Sequence, residues 1–94
     1  GLDVNKLHTN SAYSEELAYK EKLQKSYKVL SITDHSTDKE IKNSYRKMLR
    51  KYNPERVYNE NDDVIKLYTR RFQVVQEAYE LIQEHNRAAK IKRV

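Results

Sequence analysis

Between residues 65 and 82 the apolar positions fall at Ile65, Tyr68, Phe72, Val75, Tyr79 and Ile82. That 3-4-3-4-3 spacing returns every side chain to one face of a helix and scatters them over both faces of a strand. Leu67, Val74, Ala78 and Leu81 widen the stripe on one side, as a helix buried against two neighbours requires. One glycine and one proline in 94 residues leave almost nothing for hairpin turns or sandwich corners. The chain therefore reads as all-α.

Two more helices precede this one. Thr37 and Glu40 stand in the capping-box arrangement, and Ile41, Tyr45, Met48, Leu49 and Tyr52 follow on one face. Pro54 cannot continue that helix and biases Asn53 away from helical geometry, so the spacing predicts a stop near Tyr52. Upstream, Ser14 is placed to cap a helix carrying Tyr19, Leu23, Tyr27 and Leu30. Asn61 or Asp62 can cap the last helix, whose pattern fades from Glu84. The expected layout is a flexible arm over 1–13, a helical domain over 14–86 and a basic tail over 87–94, including Arg87, Lys90, Lys92 and Arg93. Residues 38–52 and 62–84 should run antiparallel, joined by a short loop, with the earlier helix packed across them. Tyr27, Leu30, Ile41, Tyr45, Met48, Phe72, Val75, Tyr79 and Ile82 form the expected core.

Charge is unevenly spread. From Lys39 to Arg56 there are seven basic residues against two acidic ones, so this stretch alone equals the whole chain's net charge of +5. Lys39, Lys42, Arg46 and Arg50 lie opposite the apolar stripe of their helix, which implies a partner with an acidic surface. No apolar run approaches the length of a membrane span, and no signal peptide is expected from the first residues. The absence of cysteine excludes disulfides and thiolate metal sites and leans toward an intracellular compartment.

The order of these blocks resembles a known family. Tyr27-Lys-Val-Leu30, Glu40-Ile-Lys-Asn-Ser-Tyr-Arg-Lys-Met-Leu-Arg-Lys-Tyr52 and Phe72-Gln-Val-Val-Gln-Glu-Ala-Tyr-Glu-Leu-Ile82 together resemble the J domain of DnaJ-type co-chaperones. The resemblance covers roughly residues 26 to 83. It implies a J-domain-like antiparallel helical hairpin with a packed preceding helix. It also implies a partner, the ATPase domain of a DnaK-type heat-shock chaperone, whose ATP hydrolysis such domains stimulate. The family's basic docking face maps onto Lys39, Lys42, Arg46, Lys47, Arg50 and Lys51. Its signalling tripeptide, His-Pro-Asp, maps onto Asn53, Pro54 and Glu55, and only the proline is kept. Asn53 cannot carry imidazolium charge, and Glu55 sets its carboxylate about 1.5 Å further out, one single bond. Such short, charge-assisted contacts tolerate displacement poorly, so the resemblance implies docking with reduced or absent ATPase stimulation. Ser31 stands where the family usually has glycine, and the connection to Phe72 is longer than in the plain pattern.

Other chemistries fit less well. His8, His35 and His85 share no ligand spacing. Asn59, Asn61 and Asp63 alternate like calcium-loop ligands, but Val64 takes the glycine position and Arg70 that of the closing glutamate. No nucleophile, base and orienter form a triad, and no glycine-rich phosphate loop exists, so neither an enzyme nor a cofactor is expected. Two alternatives stand beside the co-chaperone reading. One is a basic helical module for nucleic acid, for which only Asn43 offers a base-reading side chain on the cationic helix. The other is a structural helical domain of a larger protein.

Overall fold

A computed structural model describes the backbone of residues 2–92 and the side chains of residues 12–90. Three α-helices follow in order: α1 (Leu2–Val29), α2 (Asp38–Tyr52) and α3 (Asp62–Lys92), with a 3-10 turn at Pro54–Val57 between the last two. Among the described residues there is no strand. The expected all-α class and hairpin are what the chain forms.

Helix α3 is the spine, and α1, α2 and the 3-10 turn each pack along it. Three pairs fix the direction of α2: Asp38 meets Lys90, Tyr45 stacks on Tyr79, and Tyr52 meets Tyr68 edge-on. Sequence number rises along one partner as it falls along the other, so the helices are antiparallel. The Tyr45 and Tyr79 rings lie 3.8 Å apart and nearly parallel. Burial pushes the Tyr45 phenol above its ordinary range, helped by the facing Tyr79 and by Glu80. The core joins all three helices through Leu23, Tyr27, Leu30, Ile41, Val75, Ala78 and Ile82, with Leu30 and Ile82 sealed from solvent.

Local chemistry sets the helix ends. The C-terminus of α1 closes in a Schellman arrangement: Ile32 donates to the Tyr27 carbonyl at 2.9 Å and Ser31 to Lys28 at 3.1 Å. This places Ser31 at φ 55°, the left-handed region that favours glycine. At the start of α2, the Thr37 hydroxyl accepts from the Glu40 backbone at 3.1 Å, and the Glu40 carboxylate accepts from the Thr37 backbone at 2.8 Å. The expected capping box is present, and Asn61 caps α3 by accepting from Val64 at 3.0 Å.

Three expectations need correction. Helix α1 does not begin at Ser14 but runs from Leu2, so the backbone of 2–13 is helical where the sequence pattern predicts a flexible arm. No proline or glycine separates the two stretches, and adding residues to an existing helix is far easier than nucleating one. Gly1 lies outside the described residues. Helix α3 likewise passes Glu84 and reaches Lys92, absorbing most of the expected tail; the side chains of Lys92 and Arg93 lie outside the described residues. Phe72 is only half-buried and stands apart from the core cluster, whereas Val57, on the 3-10 turn, is buried although no stripe includes it. The longer connection to Phe72 is mostly helix, since α3 starts at Asp62.

Candidate functional site

Helix α2 turns Ile41, Tyr45, Met48 and Tyr52 toward its neighbours, which forces the opposite face into solvent. At 3.6 residues per turn, Lys39, Lys42, Arg46 and Arg50 share that outer face, and all four are exposed. Lys47 and Lys51 are also exposed and lie to one side of that stripe. Lys51 leans over the Tyr52 ring, its Nζ 5.3 Å from the centroid. None of the six forms an ion pair among the described residues. A basic face without internal partners can meet an acidic surface without first breaking contacts of its own.

The segment after α2 is more constrained. Asn53 adopts extended geometry, φ −60° and ψ 120°, as expected for a residue before proline. Its side-chain oxygen accepts from the Glu55 backbone at 3.0 Å, and its carbonyl accepts from the Arg56 backbone at 3.0 Å. Asn53 is therefore the N-cap of the 3-10 turn, and Pro54 fills the first turn position, where a missing N–H costs nothing. Arg56 reaches back to donate to the Arg50 carbonyl at 3.3 Å, satisfying one of the orphan acceptors at the end of α2. Glu55 is exposed and forms no ion pair among the described residues. The tripeptide positions thus lie side by side at the end of the basic helix, with one side-chain acceptor already committed to the backbone.

The sequence pattern singles out these residues but not the use made of Asn53. An Asx residue directly before Pro-Glu is the signal that reveals it. Among the described residues, no group of three or more His, Cys, Asp or Glu side chains is placed to hold a metal ion. No described helix is long and apolar enough to cross a membrane. Asn43, the one base-reading side chain considered for a nucleic-acid partner, is exposed.

Comparison with known proteins finds one family. The model of the DnaJ domain family matches residues 25–91. The co-chaperone protein DjlA of Coxiella burnetii is 34% identical over 64 residues, covering 66% of this chain and 24% of that protein. The chaperone protein DnaJ of Thermosipho melanesiensis is 32% identical over 63 residues, covering 67% of this chain and 16% of that protein. The chaperone protein dnaJ 72 of Arabidopsis thaliana is 36% identical over 58 residues, covering 62% of this chain and 32% of that protein. The chain spans a third or less of the length of these relatives. No solved structure matches it.

Proposed function

The chain belongs to the DnaJ domain family, and on that premise we propose that it docks on a DnaK-type chaperone through α2 while stimulating ATP hydrolysis weakly or not at all. Docking rests on Lys39, Lys42, Arg46 and Arg50, which present unpaired positive charge along one outer face. Family members are co-chaperones and not themselves enzymes, and this chain is read in the same way.

The observation that carries the weak-stimulation half is the Asn53 cap. A signalling residue must offer its polar atoms to the partner. Here the Asn53 side-chain oxygen is held by the Glu55 N–H at 3.0 Å, leaving a neutral amide nitrogen as its free polar group. That group donates but carries no charge, so a charge-assisted contact of about twice the ordinary strength is lost. Glu55 keeps the negative charge on a longer, more mobile arm. Docking and signalling thereby become separate properties of neighbouring segments.

The test is to measure affinity and steady-state ATPase rate on the same chaperone and the same domain. The expected outcome is salt-sensitive binding with an ATPase rate close to the chaperone's own. Generic duplex DNA at equal salt provides the contrast: tighter binding to duplex than to the chaperone would favour the nucleic-acid reading.

A further inference from the structure

A second cationic surface lies away from the docking stripe. Where the end of α1 meets α2 and α3, a cleft of about 340 Å³ opens, floored by Val29, Met48, Val74 and Val75. Lys28 from α1, Lys51 from α2 and Arg71 from α3 stand at its edge, each supplied by a different helix. All three are exposed, and none is ion-paired among the described residues. The Tyr52 ring holds two of them, with Lys51 at 5.3 Å and the Arg71 guanidinium at 5.6 Å from its centroid. Through Val29 and Val74 the cleft continues into a second depression between α1 and α3, edged by Lys22, Lys25 and the Arg70–Glu77 ion pair. Lys22, Lys25 and Lys28 recur at intervals of three on α1, so they follow the groove.

We propose that this groove binds an acidic peptide segment of a partner protein, one in which aliphatic side chains alternate with carboxylates. The two halves of that description answer two halves of the site. A half-buried aliphatic floor gains from apolar side chains and gains nothing from a phosphate backbone. The cationic rim, with a planar guanidinium already held against an aromatic face, suits carboxylates that Arg71 can grip with two parallel hydrogen bonds. Lys28 and Lys51 also offset the carbonyl ends of the α1 and α2 dipoles, but Arg71, in the body of α3, has no such local duty. The groove opens where α1 meets α2 and α3, and its lining does not include Lys39, Lys42, Arg46 or Arg50.

The experiment uses a fluorescein-labelled twelve-residue peptide of alternating leucine and aspartate, titrated with the 94-residue chain and followed by anisotropy. Binding that weakens as salt rises is expected, with Kd raised about tenfold by Lys28→Glu combined with Arg71→Glu. The Lys42→Glu, Arg46→Glu pair should leave this Kd within about twofold, since it alters the other face. A peptide with serine for leucine and one with asparagine for aspartate should each bind at least several-fold less tightly. Circular dichroism on every variant shows that the helices persist, as surface charge reversals should allow. Equal binding of all three peptides, or no loss in the Lys28, Arg71 variant, would overturn the proposal. So would tighter binding, through the same two residues, of duplex DNA or of vesicles containing phosphatidylserine.

Discussion

On α2, the charged ends of Lys42, Arg46 and Arg50 reach solvent with no carboxylate partner among the described residues. Three residues further along, Asn53 turns its side-chain oxygen back onto the Glu55 backbone. The helix satisfies its own backbone internally and so leaves its outer side chains for a partner. The loop lacks that ladder and must recruit a side chain to complete its hydrogen bonds. In a helix the side chains of the outer face can change function without touching the fold. In a tight turn the residue that caps the backbone is the same residue that would have to contact the partner.

The largest effect should come from a substitution that ignores this division. Ile82→Ala opens a cavity where α1, α2 and α3 meet and should cost about 2–5 kcal/mol, a large share of the stability of a domain this size. Thermal unfolding would register it, and chaperone docking should fall with it. Phe72→Ala, at a half-buried position outside the core cluster, should cost clearly less, about 2 kcal/mol. Equal losses in the two variants would mean that Phe72 belongs to the core after all.

A sharper separation comes from charge. Lys42→Glu with Arg46→Glu should weaken chaperone binding about tenfold at low salt, mainly through the association rate, with an unchanged melting temperature. Stopped-flow association at two salt concentrations reads this. An unchanged rate would make the outer face of α2 a solvated surface and nothing more.

At the near end of α2, Thr37→Ala should cost about 1 kcal/mol by removing the cap. The Thr37 backbone and hydroxyl hold the Glu40 carboxyl below its ordinary value of 4.5. The capping contribution is therefore fully present above that ordinary value and is lost as pH falls through the lowered one. Urea unfolding as a function of pH should show a shallower acid limb in the Thr37→Ala protein. The smallest effect is a gain: Ser31→Gly relieves the left-handed backbone at φ 55° and should stabilise by about 0.5–1 kcal/mol. A loss would show that the Ser31 side chain contributes something its geometry does not reveal.

Much of this is legible in the residues. The capping box at Thr37 and Glu40, the stop at Pro54 and the two stripes that carry Ile41 on α2 and Ile82 on α3 are local signals with a single reading, and each is where the pattern predicts it. What the pattern misses depends on contacts between distant segments. The burial of Val57 and the partial exposure of Phe72 follow from how the 3-10 turn and α2 settle on α3, which no period along one helix encodes. The start of α1 is misread because a good cap at Ser14 suggests a boundary, and nothing in the sequence says that the helix continues through it. The family resemblance groups Lys51 with the docking stripe, yet it also lines the cleft with Lys28 and Arg71. The resemblance nominates the residues of the candidate site; the commitment of Asn53 to its own backbone is not legible in it.

The separation of docking from signalling is tested by one double variant, Asn53→His with Glu55→Asp, assayed beside the unmodified domain for chaperone affinity and steady-state ATP hydrolysis. The repaired domain should stimulate hydrolysis well above the parent while its affinity changes little, because the outer face of α2 is common to both. Strong stimulation by the unmodified domain would contradict this directly, since it would make Asn53-Pro54-Glu55 a working form of the signal.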